Sequence, residues 1–494
     1  MRHDAAMDVK MHSFRARCGE CKALALMKMF FLCIAFFAAS IPVHAGSGER
    51  PSPIYMKGEH VLLKGGVPAN MKDLGDRLEV GLDTLRARYR VAGVAVAMVE
   101  GVHAGDASAP APRLIQSGTA GCDPDGNWHA VDARTTLFGV ASLTKLIVAW
   151  ALIHNQAELG IDISRSPFES PNSLDLDGCE WNPWKGSAYP TRGQGFTLNA
   201  VIQHKAGLIM SGWNSLYPSG WPAWLYGPEN ACGKRLPSLC RELDGHNNTA
   251  FAGRMVFRKD LVGKFTYSSG NYGLLQMLIE QKASPKDFDA YMQDVMEKEL
   301  NMHRSTFDYD PAGYLEKRHG REEGLWLSRN YKSYTDRELN REAGLRLFVN
   351  KASGGLFSTV EDYAAFAMRM MQDGIRPGTP EGRYIFCDNN RLSYYDPERF
   401  PTSEGFDVYI FRGVHMGWAS RIILDPAHGN AIVIFANTAD PVADRLGCGT
   451  GENLIREVFD AFMLTSGYGQ TLRRYHAAYW GGKTVKACEP YYGE

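Results

Sequence analysis

Ser142 and Lys145 stand three residues apart at the head of an almost wholly apolar run that continues through Ile153. On a helix starting at Ser142, positions i and i+3 share a face, which sets the amine over the hydroxyl. Burial disfavours the charged form of an amine, and a neutral amine can accept the hydroxyl proton. A serine at a helix N-terminus also meets free backbone N–H groups and the positive end of the helix dipole, which favour a developing oxyanion. The pattern fits an activated serine nucleophile. The plainer alternative is an N-cap serine followed by a surface lysine.

Two further stretches carry candidate chemistry. In KFTYSSGNYGLLQMLIE, Tyr267 and Ser269 lie just before a helix whose Leu274, Leu275 and Leu278 point inward. A phenol placed there can shuttle a proton; the alternative is a tyrosine packed in the core. In GVHMGWASRIILDP, His415, Met416 and Gly417 lead into a strand. Gly417 lets the backbone approach a ligand, and the next amide, that of Trp418, can donate to an oxyanion. Other chemistries lack their signatures. There is no H-E-x-x-H and no G-x-S-x-G, and the histidines are scattered. Gly482-Lys483-Thr484 is not a phosphate loop, because Ala477 occupies the position of its first glycine. No metal or other cofactor is expected. The net charge of −1 provides no field for nucleic acid or an anionic membrane, so the expected partner is a small-molecule or peptide substrate.

Several elements must position these residues. Leu74, Leu78, Leu82, Leu85 and Tyr89 recur at helical spacing and predict a helix from Met71 to Arg90. VAVAMV, Val94 to Val99, reads as a central strand buried on both faces, with Arg113 to Gly118 as a neighbour. Trp418 to Leu424 and Asn430 to Asn437 predict a hairpin turning at Asp425-Pro426-Ala427-His428-Gly429. Leu454, Ile455, Val458, Phe459 and Phe462 form a closing helical stripe. The expected fold class is α/β (α+β): an antiparallel sheet built from both ends of the chain and flanked by helices, with a mainly helical lobe inserted. Residues 55–145 and 345–466 would form the sheet lobe, 146–344 the helical lobe, and 467–494 a tail.

Together the three motifs resemble the serine hydrolases that include class C β-lactamases, penicillin-binding D-alanyl-D-alanine carboxypeptidases, D-aminopeptidases and related esterases. That family carries S-x-x-K, Y-x-N, and K-T-G or H-x-G in this order. Here they read Ser142-Leu143-Thr144-Lys145, Tyr267-Ser268-Ser269 and His415-Met416-Gly417. Two more stretches are similar to it: TLNAVIQHKAGL (Thr197 to Leu208) and ASGGLFSTVEDYAAF (Ala352 to Phe366), the latter with Ser358 and Glu361 spaced as a capping box. The resemblance runs from Met71 to Met463. It implies a β-lactamase/transpeptidase-like fold and acyl transfer with Ser142 as nucleophile, Lys145 as proton acceptor and Tyr267 as the other acid–base. Whether lysine or tyrosine takes the first proton stays open. The implied oxyanion hole is the N–H pair of Ser142 and Trp418. Ser269 replaces the asparagine that contacts the substrate amide, and His415 replaces the lysine that helps hold the substrate carboxylate. Both departures point to an ester or amide hydrolase rather than a dedicated β-lactamase. The alternatives are a D-amino-acid peptidase or carboxypeptidase, a β-lactamase, and an inactive binding or sensor protein of the same fold.

The N-terminus reads as a secretory signal spanning 1–45. Arg15, Arg17, Lys22 and Lys28 precede an apolar run from Met29 to Ser40, and Val43-His44-Ala45 offers small residues for cleavage. The run is shorter than the ~20 residues a membrane span needs, so the expected product is periplasmic or secreted with no stable membrane span. Seven cysteines follow Ala45, and in an oxidising compartment they suggest disulfides, with Cys232 and Cys240 close enough to pair. The segment 179–240 also holds Trp181, Trp184, Trp213, Trp221 and Trp224, half of the 10 tryptophans. It is either an aromatic wall over a substrate or a stapled loop that packs its own aromatics.

Overall fold

The computed structural model describes residues 60–468 apart from 107, 123–126, 177–178, 180–181, 183, 185–187, 211–215, 219–237, 245–253, 321–324, 332–345, 374–407, 416 and 440–450. The expected signal, the tail from 469, Met416, Cys232, Cys387, Cys448, Cys488 and four of the clustered tryptophans (Trp181, Trp213, Trp221 and Trp224) lie outside the described residues.

The helix read from leucine spacing is α1 (Met71–Arg88), capped by Asn70, whose side chain accepts from the Asp73 N–H at 2.9 Å. The apolar run becomes β1 (Gly93–Val99), buried along its whole length. It pairs on one side with β2 (Arg113–Cys122), which is followed by β3 (Trp128–Ala130). On its other side lies a strand from the far end of the chain, Asn430–Ala436, in a register that sets Val94 opposite Ala436.

Between these come β4 (Thr136–Gly139), β5 (Ala206–Ile209), β6 (Leu216–Pro218) and β7 (Val256–Val262). Then come β8 (Trp326–Leu327), β9 (Arg346–Phe348), β10 (Phe357–Ser358), β11 (Tyr409–His415), β12 (Trp418–Asp425) and β13 (Asn430–Ala436). The main sheet runs β11-β12-β13-β1-β2-β3, all antiparallel. Small ladders join β4 with β10 and β8, β5 with β7, and β6 with β9.

Alternation along β1 and β13 sends side chains to two cores. Val94, Val96, Met98, Ile432 and Ile434 pack with Leu74, Leu78 and Leu82 of α1 and with Leu454, Val458 and Phe459 of the closing helix (Gly451–Thr465). Ala95, Ala97, Val433 and Phe435 face the helical part. That part contains α2 (Thr144–His154), α3 (Leu198–Ile202), α4 (Leu239–Leu243), α5 (Ser269–Lys282), α6 (Phe288–Lys298), α7 (Lys351–Gly354) and α8 (Val360–Gln372).

Three expectations change and one open alternative is decided. The edge of the sheet is not β12 but β11, so His415 and Trp418 close a hairpin between two strands rather than open the terminal one. Cys240 is bonded to Cys179, not Cys232, because α4 brings its backbone to within 5.2 Å of Cys179, Cα to Cα. The cap of α8 is Thr359, which accepts from the Asp362 N–H at 3.1 Å; Ser358 is instead buried in β10 against Ser305, Oγ to Oγ 2.8 Å. Trp184, the described member of the tryptophan cluster, is buried against Phe168, Tyr189, Phe196 and Phe257, so it packs core rather than walls a substrate.

Candidate active site

Ser142 sits in a single 3₁₀ turn, Ala141–Leu143, that runs directly into α2. Ala141 holds φ +51°, an unusual conformation for a residue with a Cβ. Surrounding elements fix it there. Thr144 Oγ1 donates to Ala141 O at 2.7 Å and accepts from the Leu356 N–H at 3.2 Å. Tyr363 of α8 donates to Leu143 O at 2.8 Å, and Ser420 of β12 donates to Val140 O at 2.7 Å. Gly413 of β11 crosses closely above the turn: a Cβ there would run into Val140 O and Ser420 Oγ. A glycine inside a strand marks such an approach.

Lys145 lies one turn on and is 4% exposed. Its Nζ is 3.2 Å from Ser142 Oγ and donates to Ser353 O in α7. It also lies 5.1 Å from the ring centre of Tyr267 and 5.5 Å from that of Tyr272. Tyr267 closes the group, with its hydroxyl 2.8 Å from Ser142 Oγ. Tyr267 is 38% exposed; desolvation around its hydroxyl pushes the phenol up, but the charge of Lys145 and the neighbouring polar groups of Ser142 and Ser269 outweigh it, so the phenol is held below its usual 10.0. The three side chains expected to act together therefore meet at one point, on a 3₁₀ turn, the first turn of α2 and the residue two before α5.

Ser269 is the first residue of α5 and lies beside Tyr267, where it helps lower the phenol. Its carbonyl accepts from Asn350 Nδ2 at 2.7 Å, which ties α5 to the segment leading into α7. His415 is buried, its ring 5.5 Å from Phe348 and 6.4 Å from Trp418.

Trp418 does not carry the role expected of its amide. His415 and Trp418 form the last pair of the β11–β12 ladder, with Gly417 at φ +81°. The pair flanking a two-residue turn exchanges both backbone hydrogen bonds, so the Trp418 N–H is directed at His415 O. Gly417 N–H donates to Ala439 O at 2.9 Å. The same alternation turns the amide of Val414, opposite Ala419, away from β12 and outward from the sheet edge, beside Gly413 and the Ser142 turn.

Several residues of this site escaped the motif reading. Gly413 carries a legible signal, a glycine inside the β-rich run YIFRGVH. Ser353, Asn350 and Tyr272 carry none, since they contribute through a backbone carbonyl, a long-range amide and a ring face. Among the described residues, no group of three or more His, Cys, Asp or Glu side chains is placed to hold a metal ion.

A sequence model of the Beta-lactamase family matches residues 81–455. No curated protein matches the sequence. Similar solved structures include a beta-lactamase from Sulfitobacter sp. EE-36, at 16% identity and TM-score 0.48, covering 80% of this chain and 99% of that one. The octameric penicillin-binding protein homologue from Pyrococcus abyssi is 17% identical with TM-score 0.48, covering 79% and 77%. D-amino acid amidase from Ochrobactrum anthropi SV3 is 16% identical with TM-score 0.46, covering 80% and 99%.

Proposed function

This chain belongs to the Beta-lactamase family, which makes it a hydrolase of the serine type, and from that premise we propose that it is exported and cleaves an ester or amide through an acyl-enzyme on Ser142. The observation that carries the proposal is that Ser142 Oγ lies within hydrogen-bond reach of both Lys145 Nζ (3.2 Å) and Tyr267 OH (2.8 Å). A hydroxyl flanked by an amine and a phenol has two routes for losing its proton.

In the proposed reaction Ser142 Oγ attacks the substrate carbonyl carbon while its proton passes to the Lys145–Tyr267 pair. The carbonyl oxygen becomes an oxyanion between the N–H groups of Ser142 and Val414. As the C–O or C–N bond breaks, Tyr267 returns the proton to the leaving group. Water then adds to the acyl carbon, gives up a proton to the same pair, and releases the acid with Ser142 restored. Whenever Lys145 carries the shared proton, its charge beside Tyr267 makes the phenolate accessible at lower pH than that of a free tyrosine.

An ester or simple amide is favoured as substrate over a β-lactam. Ser269 offers a shorter side chain than asparagine, with one O–H donor where the amide has two N–H donors and a carbonyl on a longer arm. His415 is 4% exposed and lies beside Phe348 and Trp418, whereas the family's lysine reaches out on a long flexible arm. The test is kcat/KM for a short p-nitrophenyl ester against a chromogenic cephalosporin, with intact mass to detect acylated Ser142. Efficient cephalosporin turnover with esters untouched would refute the substrate class, and absence of any acyl adduct would refute the mechanism. N-terminal sequencing of the mature protein tests export: a start just after Ala45 supports it.

A further inference from the structure

His204 follows α3 and is 2% exposed. Its backbone takes φ +57°, rarely adopted by a residue with a side chain. Its carbonyl accepts from the Thr266 N–H at 2.8 Å, and its Nδ1 accepts from the Ser268 N–H at 3.3 Å. Thr266 and Ser268 are the two neighbours of Tyr267. The imidazole itself lies against Tyr267, ring centres 4.6 Å apart, and against Tyr272 at 5.5 Å. We propose that His204 is a positioning residue for Tyr267, gripping the amides on both sides of it so that the phenol is delivered to Ser142 Oγ.

The ring must be neutral to do this. Nδ1 has Asn271 Nδ2 at 2.9 Å as well as the Ser268 amide, so two N–H donors converge on one nitrogen. A proton there would face both of them. Burial, and then the charge of Lys145, push the imidazole down to about 3, so it stays an acceptor across the working pH range. The groups facing Tyr267 are Lys145 from α2, Ser142 from the 3₁₀ turn, Ser269 from α5 and this neutral ring. The lowering of the phenol therefore depends on its distance from Lys145, and that distance depends on the grip.

This proposal rests on reading Tyr267 as an acid–base group, and two variants test it. His204→Gly tolerates the positive φ and keeps the carbonyl but removes the ring acceptor. His204→Asn also tolerates that φ and restores an acceptor oxygen. Two quantities are measured on folded protein: kcat and KM for an ester, and ultraviolet titration of the Tyr267 phenol against a Tyr267→Phe blank. The glycine variant is expected to lose about 10- to 100-fold in kcat with little change in KM, since small misplacements cost about that much. Its Tyr267 titration moves toward higher pH, and the asparagine variant recovers most of both. An unmoved titration in the glycine variant, or an asparagine variant as impaired as glycine or unable to fold, overturns the proposal. The titration needs no turnover, so it stands apart from the functional reading; if wild-type Ser142 takes no fluorophosphonate, that reading alone fails.

Discussion

Tyr267 OH lies 2.8 Å from Ser142 Oγ, although 125 residues separate them along the chain. Tyr267→Phe keeps the ring against His204 and removes only this hydrogen bond and the proton it relays. Loss of such an acid–base group typically costs 10²–10⁴-fold. We expect kcat to fall by about that much, whereas Ser142→Ala falls by ~10³-fold or more and loses the acyl adduct altogether. Steady-state kinetics and intact mass report both, and a Tyr267→Phe enzyme with wild-type kcat would remove the phenol from the mechanism.

Lys145 is buried between Ser142 and Ser353. Lys145→Ala should lose nearly as much as Ser142→Ala, because the two act as a unit. Lys145→Arg should also fail, since a guanidinium stays protonated and cannot accept the serine proton. Ester turnover by the arginine variant at a rate near wild type would mean that only the positive charge matters.

The phenol of Tyr267 is held below the usual 10.0 although desolvation of its hydroxyl opposes this. The sign follows from the charges: a neighbouring cation favours phenolate, so ionisation moves to lower pH. An ultraviolet titration should show one tyrosine ionising before the others, and Tyr267→Phe should abolish that early step. The limb of kcat/KM that rises with pH should track the same midpoint. No early ionisation would show that Lys145 does not set the phenol.

Gly413→Ala places a methyl group against Val140 O and Ser420 Oγ. Either the Ser142 turn or the sheet edge must move, and a displacement near 1 Å can cost about 100-fold in rate. We expect kcat/KM to drop by roughly that factor, with a stability loss of about 1–3 kcal/mol from overpacking. Kinetics and denaturant melts measure the two separately. Unchanged kinetics would detach β11 from the oxyanion site.

Cys179–Cys240 joins residues 61 apart and anchors α4, whose Leu243 packs beside Gly273 of α5. Its removal, by reduction or by serine at both positions, should cost about 2–4 kcal/mol. Peptide mapping without reduction checks the pairing; free thiols at both positions would refute it.

Much of this site was legible because its parts are local. Ser142-x-x-Lys145 states its own geometry once the apolar run is read as a helix, and Tyr267 announces itself by the helix after it. The third motif misled for a physical reason. His415-Met416-Gly417 resembles a substrate-facing motif, yet His415 ends a strand, Tyr409–His415, that pairs with Trp418–Asp425 and gives little sign of itself in the sequence. Tyr409, Ile410 and Phe411 are all buried and apolar, and alternation shows only from Phe411 on, where Arg412 and Gly413 interrupt the apolar run. The disulfide partner of Cys240 was chosen by proximity in sequence, and folding chose proximity in space. His204 and Asn350 act through pairings that exist only after distant segments meet.

The central strand of the sheet has a consequence for how the protein comes into being. β1 pairs with β13 across 342 positions, Val94 to Ala436. Contacts this remote form late, because loop closure must precede them. During synthesis Ser142 and Lys145 emerge while Val414 is still untranslated, so an early-folding fragment holds the nucleophile without the strand that would complete its oxyanion site. On the proposed mechanism, a chain that stops short of β11 carries Ser142 and Lys145 without the Val414 amide that would stabilise the oxyanion.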